Sequence, residues 1–274
     1  MKKNLFEKIV TISGAVVMAV FALTSCEGKK SGGSGSSKVK KLYVGVGNSY
    51  KPYCYIDENG KPVGYELEVL KAIDELLPEY EFEFEATEFA SLFSSLSQKK
   101  YDVIAHQIEY NPDRAEKYEF TKETYTTFVT YITVPESVSG ISSLEDLAGK
   151  TAVESPGDNG IWYLEQFNKN HPGKEIKIDI IKVSTDESVA GLNSGRWDFA
   201  VRTKRDVEEL NEKYNAHLKV VGEPIQQSST YFLFQKGNIE LRDAFDNAIR
   251  QLKSSGKLRQ ISIDVIGGDY TESE

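Results

Sequence analysis

The chain has 274 residues, of which 39% are hydrophobic and 27% charged, a composition that suits one or two globular domains. The formal net charge is −9, and no basic stripe with interleaved aromatic residues is present, which argues against a nucleic-acid-binding surface. The three histidines (His106, His171 and His217) are scattered without metal-ligand spacing, and no nucleophile elbow or Gly-x-Gly-x-x-Gly motif is found. We therefore predict no metal, no cofactor and no catalytic residue.

The N-terminus has the pattern of a bacterial lipoprotein signal. An apolar run over residues 9–23, too short for a typical membrane span, leads into Leu23-Thr24-Ser25-Cys26, which matches a lipobox. We predict that residues 1–25 are a signal peptide and that Cys26 is lipidated; a simple secretion signal or a spanning anchor are the alternatives. Residues 26–38 are rich in Gly, Ser and Lys, which predicts a flexible tether at the extracytoplasmic face of the cell membrane.

The first part of the folded chain alternates between strands and helices. Apolar and alternating patterns predict strands around residues 42–46, 82–84 and 103–105, and helical spacing predicts helices over residues 65–77 and 92–96. Asn59-Gly60 is a predicted hairpin tip. This order predicts a parallel or mixed sheet that is covered by helices.

A helix is predicted to begin at Asn111, because Asn is a favoured N-cap and Pro112 a favoured first residue. Arg114 lies in its first turn, where a cation opposes the helix dipole. A bound carboxylate would resolve this conflict, since a guanidinium grips a carboxylate with two hydrogen bonds. The alternative is an exposed Arg114 paired with Glu116 or Glu119.

The second part of the chain repeats the alternation after a strand-like crossing at residues 128–134. The predicted strands and helices of this part follow in order: strand 151–153, helix 161–167, strand 176–180, a helix capped at 184–187, strand 197–201, a charged helix, strands 218–221 and 231–234, and helix 241–252. We predict two α/β units joined by two crossings, near residues 126–134 and 220–226. The cleft between such units is a favoured small-molecule site.

Five segments carry a resemblance to a known family: LYVGVGNSYKPYCYIDENGKPVGYELEVLKAI, KKYDVIAHQIEYNPDRAEKYEFTKETY, ISSLEDLAGKTAVESPGDN, LNSGRWDFAV and AIRQLKSSGKLRQI. The chain resembles the extracellular solute-binding proteins of family 3, the polar amino-acid receptors of bacterial ABC importers. The resemblance implies a two-lobed α/β fold of the periplasmic-binding-protein type (type II). It also implies a monomer that delivers an amino acid to a membrane permease. It implies lobe 1 at residues 39–128 plus 226–270, lobe 2 at residues 134–220, and a ligand between them.

The resemblance also assigns roles to individual residues. Arg114 would clamp the α-carboxylate, and the segment of His106, Gln107 and Glu109 would hold the carboxylate and the amine. The predicted aromatic walls and lobe 2 contacts are Tyr50, Tyr53, Phe89, Asp158 and Asn159. For several of these residues an ordinary role stays open, namely core packing for the aromatic residues and His106, and capping of a helix near Gly160 for Asp158 and Asn159.

One departure from the family pattern concerns the ammonium group of the ligand. The Asp that commonly binds it falls at Thr203, with Arg202 beside it. A desolvated ammonium still requires a negative partner, for which we favour Glu109 over Asp158. Arg202 would meet a second ligand carboxylate, as in cystine, or pair with Asp206.

The segment QIEYNPDR resembles the cystine-type branch of the family, so cystine is the favoured ligand. Two other functions stay open at this point. An enzyme on the same scaffold, of the dehydratase or cell-wall lytic type, would use Glu109 or Asp158 as general acid. A surface sensor or adhesin would keep the fold without transport.

Overall fold

A computed structural model describes residues 39–271, so the predicted signal peptide, Cys26 and the tether lie outside the described residues. The strands in this range are β1 (Lys40–Gly47), β2 (Ser49–Tyr50), β3 (Cys54–Ile56), β4 (Pro62–Val63), β5 (Tyr80–Thr87), β6 (Val103–Glu109), β7 (Tyr118–Phe120), β8 (Thr126–Pro135), β9 (Thr151–Glu154), β10 (Lys177–Ile180), β11 (Ala200–Thr203) and β12 (Leu218–Gln235). The helices are α1 (Tyr65–Asp74), α2 (Phe89–Ser97), α3 (Pro112–Lys117), α4 (Asn159–Asn170), α5 (Thr185–Ser194), α6 (Lys204–Tyr214), α7 (Ile239–Ser254) and α8 (Lys257–Ile266). None of these helices is long and apolar enough to cross a membrane.

One mixed sheet of seven strands connects most of the described chain. Its order is β11-β8-β12-β6-β1-β5, and β7 pairs with β12 at the side of this path. Strand β1 is parallel to β5 and β6, whereas β12 is antiparallel to β6, β7 and β8. Two smaller sheets, β9-β10 and β2-β3-β4, complete the architecture.

The hydrophobic core divides into two groups of buried side chains. The first group draws its residues from 42–125 and 232–266, and includes Phe82, Phe232 and Phe245. The second group comes from residues 132–225 and includes Trp197 and Phe199. We use lobe 1 and lobe 2 for the parts built around these two groups; the exact lobe limits stay a prediction.

Strands β8 and β12 pass between the two lobes. The sequence predicted two short strands on either side of Pro224, but the structure contains one long strand, β12, which pairs with β8 on both sides of a register shift between Val221 and Gln226. Proline has no N–H to donate to a ladder and is tolerated where pairing is interrupted. The proline therefore marks an irregularity within the crossing and does not end the strand.

Strand β6 also extends further than predicted, because the polar segment His106–Glu109 belongs to it. Pairing with β12 continues to Glu109, which lies opposite Thr230. The register of this pairing shifts between Tyr231 and Leu233, so the ladder is interrupted around Gln107. As a result, His106 and Glu109 lie at the carboxyl end of β6, shortly before α3 begins.

Candidate functional site

A cavity of about 670 Å³ lies between the two lobes. Such a volume is typical of small-molecule sites. The cavity brings together ten residues that were predicted to bind a ligand: Tyr50, Phe89, His106, Gln107, Glu109, Arg114, Asp158, Asn159, Arg202 and Thr203.

Tyr53 is the predicted site residue that does not line this cavity. Its side chain is 4% exposed and belongs to the lobe 1 core. The ring lies behind Tyr50, with 4.8 Å between the two ring centroids, and meets the ring of Tyr65 edge-on. Tyr53 therefore supports the cavity wall from behind.

Arg114 is positioned by the short helix α3, as the sequence predicted. Asn111 caps this helix, since its Oδ1 accepts a hydrogen bond of 2.8 Å from the Arg114 backbone N–H. The guanidinium donates from Nη1 to the Glu109 carbonyl at 2.8 Å and from Nη2 to the Gly157 carbonyl at 2.6 Å. It also lies over the ring of Phe93, 5.2 Å from the centroid.

The alternative ion pair of Arg114 with Glu116 or Glu119 is not formed. Glu119 instead binds Arg242, with 2.7 Å between Oε1 and Nη1. Within residues 39–271, no salt bridge to Arg114 is present. Burial lowers the pKa of Arg114, and the nearby charges of Glu109 and Asp158 oppose this effect.

Glu109 is a buried carboxyl beside Arg114, and its side chain is 5% exposed. The Ser228 hydroxyl donates a 2.5 Å hydrogen bond to its Oε1. Burial raises the pKa of Glu109 to about 7, although the Ser228 hydrogen bond and the charge of Arg114 act in the other direction. A further positive charge nearby would therefore favour the ionised form of this carboxyl.

Three stacked rings form an aromatic wall. The imidazole of His106 stacks on Phe89, with ring centroids 4.2 Å apart, and on Tyr50, with centroids 5.4 Å apart. Burial lowers the pKa of His106 to about 4, so the ring is neutral at pH 7. A neutral ring between two aromatic rings acts as part of a wall more than as a charged contact.

Gln107 is held toward the interior of lobe 1. Its backbone has a φ of +48°, and both its backbone N–H and its Nε2 donate to Glu66 Oε1, the latter at 3.1 Å. Its Oε1 is buried without a hydrogen-bond partner among the described residues. Gln107 lines the cavity, but its amide is engaged with Glu66.

Lobe 2 contributes the amino end of α4. Asp158 occupies the N-cap position, yet its side chain makes no capping hydrogen bond and accepts instead from the Ser155 N–H at 3.1 Å. Asn159 Oδ1 accepts a 2.7 Å hydrogen bond from Asn111 Nδ2, and both residues are buried. The capping alternative for these two residues is therefore not realised through their side chains.

Glu154 is a cavity residue that the sequence reasoning missed. Its Oε1 accepts a 2.8 Å hydrogen bond from the Val201 N–H, and a Cβ at Gly160 would lie only 2.5 Å from its Oε2. Burial raises the pKa of both Glu154 and Asp158, and the charge of Asp158 raises that of Glu154 further. The available signal was its position, since Glu154 directly follows the predicted strand 151–153, and in the structure it is the last residue of β9.

Arg202 approaches the cavity from lobe 2. Its Nη2 donates a 2.8 Å hydrogen bond to Ser188 Oγ. The alternative pairing with Asp206 is not formed, because Asp206 binds the Thr203 hydroxyl at 2.7 Å and the Tyr50 hydroxyl at 3.1 Å. In the described part of the chain, Arg202 has no carboxylate within salt-bridge distance, whereas Thr203 serves as the N-cap of α6.

The two lobes contact each other around the cavity. The hydrogen bonds Tyr50–Asp206, Arg114–Gly157 and Asn111–Asn159 each join lobe 1 to lobe 2. A further ion pair joins Glu88 to Lys182. This is a closed arrangement, in which both lobes shape the same cavity.

Comparison with known proteins adds independent evidence. The model of the bacterial extracellular solute-binding proteins, family 3, matches residues 42–267. The L-cystine-binding protein TcyK of Bacillus subtilis (strain 168) is 33% identical over 256 residues, which cover 93% of this chain and 94% of TcyK. The L-cystine-binding protein TcyJ of the same strain is also 33% identical, over 94% of this chain and 96% of TcyJ.

A solved structure of a putative L-cystine ABC transporter from Listeria monocytogenes superposes with a TM-score of 0.77 at 32% sequence identity, and covers 85% of this chain and 99% of its own. The predicted two-lobed α/β fold, of the type II periplasmic-binding-protein kind, is thereby confirmed. Because the family model and both relatives span most of its length, the chain belongs to the bacterial extracellular solute-binding proteins of family 3.

Proposed function

We propose that this protein captures L-cystine outside the cytoplasmic membrane and presents it to an ABC permease. The observation that carries the proposal is a pair of guanidinium groups, Arg114 from lobe 1 and Arg202 from lobe 2, that line one cavity. Neither has a salt-bridge partner among residues 39–271. L-Cystine has a carboxylate and an ammonium at each end, so its two ends match two such groups.

Arg114 and Glu109 would hold the first end of the ligand. The Arg114 fork presents N–H groups suited to a carboxylate, and the buried Glu109 carboxyl lies close enough for its charge to act on Arg114. A desolvated ammonium requires a negative partner of this kind. The aromatic wall of Tyr50, His106 and Phe89 would then pack against the apolar disulfide-containing middle of the ligand.

Arg202 would hold the carboxylate at the second end, supported by its hydrogen bond to Ser188. Asp158 and Glu154 are near enough to Arg202 for its charge to lower the pKa of both. They are the candidate partners for the second ammonium. Lobe 2 would thus provide a guanidinium and a carboxyl for the second end of the ligand, as Arg114 and Glu109 of lobe 1 do for the first end.

Binding would be linked to lobe closure, because the proposed contacts come from both lobes. A ligand shifts a conformational equilibrium by its differential affinity for the two states. When the lobes are apart, L-cystine has only one set of charged partners. In the closed arrangement it has both, so it stabilises the closed form, which we propose is the form that the permease engages.

The relatives are extracytoplasmic solute-binding proteins, and four finer points belong to the proposal. Cys26 carries the lipid anchor, the residues after it tether the folded part, the protein acts as a monomer, and it has no catalytic activity. A molar mass of one chain by light scattering supports the monomer, and recovery of unchanged ligand after reversible binding supports the absence of catalysis. Turnover of the ligand would contradict the absence of catalysis.

Replacement Arg114→Ala is expected to weaken L-cystine binding by about 30-fold or more, because removing one partner of a buried charge pair typically costs about 2–5 kcal/mol. Isothermal titration calorimetry measures the change. Arg196→Ala is the matched control, since Arg196 is half exposed and paired with Glu187 at the surface of lobe 2. Nearly unchanged affinity of the Arg114 variant would contradict its role, and the absence of L-cystine binding to the unmodified protein would contradict the proposed ligand.

Replacement Arg202→Ala tests whether the second carboxylate of L-cystine is bound by Arg202. We expect L-cystine to bind at least tenfold more weakly, whereas S-methyl-L-cysteine, which has a single carboxylate, binds the variant and the unmodified protein with affinities within about threefold. The same titrations provide both values. An equal loss for the two ligands would show that Arg202 does not act through a second carboxylate.

Binding of L-cystine is expected to release protons near neutral pH. The Glu109 carboxyl, with a pKa of about 7 in place of its ordinary 4.5, is largely protonated below pH 7 in the ligand-free protein. An ammonium beside it favours the ionised form and lowers the pKa, so affinity rises as pH increases from about 5 to 7 and levels off above. Calorimetry in buffers of different ionisation enthalpy counts the protons.

With S-methyl-L-cysteine, whose single ammonium is expected beside Glu109, the variant Glu109→Gln is expected to lose most of the proton release, whereas Asp158→Asn keeps it. Both residues line the cavity and both have raised pKa values, which makes them a matched pair. The opposite result would assign the ammonium to Asp158.

Replacement Cys26→Ser is expected to move the protein from the membrane fraction to the culture medium or periplasm, because a serine cannot form the thioether to lipid. Metabolic labelling with radioactive palmitate and cell fractionation measure the change. Labelled, membrane-bound Cys26→Ser protein would contradict the anchor.

A further inference from the structure

Glu66 is a buried carboxyl that the proposed ligand contacts do not use. Its side chain is 0% exposed, and it lies in the first turn of α1. No Lys, Arg or His in the described range forms a salt bridge with it. Burying an ionisable group without an opposite charge is costly, so such a group demands hydrogen bonds and commonly has a role beyond packing.

The hydrogen bonds of Glu66 reach the strand that lines the cavity. Its Oε1 accepts from the backbone N–H of Gln107 and from Gln107 Nε2, the latter at 3.1 Å. Its Oε2 accepts from the Tyr125 hydroxyl at 2.7 Å. Three donors thus converge on one buried carboxylate.

Gln107 requires this support because of its backbone conformation. Its φ of +48° lies in the left-handed region, which a long side chain rarely adopts inside a strand. The pairing of β6 with β12 shifts register at the same place, between Tyr231 and Leu233. The backbone N–H of Gln107 therefore leaves the ladder and is satisfied by Glu66, while His106 and Glu109 on either side line the cavity.

The same network reaches the first crossing between the lobes. Tyr125 immediately precedes β8, and its carbonyl accepts a 2.6 Å hydrogen bond from the Tyr65 hydroxyl. Thr126 begins β8, and its Oγ1 lies 3.4 Å from Gln107 Nε2. The cavity strand, the amino end of α1 and the start of the crossing are thus joined through one carboxylate.

We infer that Glu66 is a positioning residue, which holds the bend of β6 at Gln107 in the conformation that ligand binding needs and ties this bend to the crossing strand β8. The part of this inference that concerns affinity rests on the proposed function. The part that concerns the bend does not, because it is a property of the ligand-free protein.

The test replaces Glu66 by glutamine, which keeps the shape of the side chain but removes the charge and one acceptor. Burial raises the pKa of Glu66 to about 7, so the comparison is made at pH 8, where the carboxylate is ionised. In the ligand-free Glu66→Gln variant, we expect the backbone amide proton of Gln107 to move upfield in the NMR spectrum and to exchange with solvent at least tenfold faster, because its hydrogen bond to a carboxylate is weakened. For L-cystine, calorimetry and stopped-flow measurements are expected to give a dissociation constant about tenfold higher, with most of the change in the dissociation rate.

Glu68→Gln is the matched control, because Glu68 lies two residues further along α1, has a side chain that is 45% exposed, and binds Lys71. It is expected to change neither the Gln107 amide nor the affinity. Glu66→Asp, which keeps the charge but shortens the side chain, is measured in the same way and should also release the Gln107 amide. If Glu66→Gln fails to fold, the result for Glu66→Asp decides the test.

An unmoved Gln107 amide in a folded Glu66 variant would overturn the inference, whatever the ligand does. A shifted amide with unchanged L-cystine affinity would overturn the link to binding. If the unmodified protein does not bind L-cystine, the proposed ligand is wrong, and the amide measurement still decides the positioning role.

Discussion

The guanidinium of Arg114 connects the two lobes at the point where the ligand is proposed to bind. It donates one hydrogen bond to the Glu109 carbonyl in lobe 1 and one to the Gly157 carbonyl in lobe 2, and it lies over the ring of Phe93. A guanidinium has five N–H donors in a rigid plane, so it can hold two backbone carbonyls and still face a carboxylate. On the proposed function, closure and recognition would therefore share one side chain. The Asn111 cap contributes to both as well, since its Oδ1 orients α3 and its Nδ2 reaches Asn159.

On the proposed function, the charges around this side chain would determine which molecules the cavity accepts. Glu109, Asp158 and Glu154 are carboxyls whose pKa values are raised by burial, and they lie near two guanidinium groups. In a water-poor cavity an unmatched charge is expensive, so a ligand that lacks an ammonium or a carboxylate leaves a buried group unpaired. Discrimination between ligands would then arise as much from the free-energy penalty of leaving a buried charge unpaired as from the favourable contacts of the matching ligand. The neutral His106 between Tyr50 and Phe89 adds shape without adding a further charge.

The helix cap at Asn111 and the order of strands and helices along the chain allowed much of the fold and of the cavity lining to be predicted from the sequence. Asn111-Pro112 specified the start of α3, and the position of Arg114 in its first turn indicated an anion. Tyr53 was misplaced because in a turn-rich segment nothing in the sequence tells which of two neighbouring tyrosines faces the cavity. Glu66 and Glu154 escaped notice since a buried acid and an exposed one look alike until their partners, which are distant in sequence, are known. The continuity of β12 was missed because Pro224 resembles a strand end, although its ladder partners in β8 continue past it.

The shared sheet also constrains how the lobes can separate. Because β8 and β12 run through both lobes as paired strands, the connection is a twisted ribbon and not two slack linkers. The ladder is interrupted between Val221 and Gln226, and Gly222 lies there with a φ of +73°, so close to Ser142 that a Cβ would be 2.1 Å from its carbonyl oxygen. Residues 222–225 are therefore the expected place of bending, since the ladder is paired on both sides of them. A paired ribbon is stiffer than two separate linkers, so we expect the lobes to separate by rotation about this point and not by free displacement.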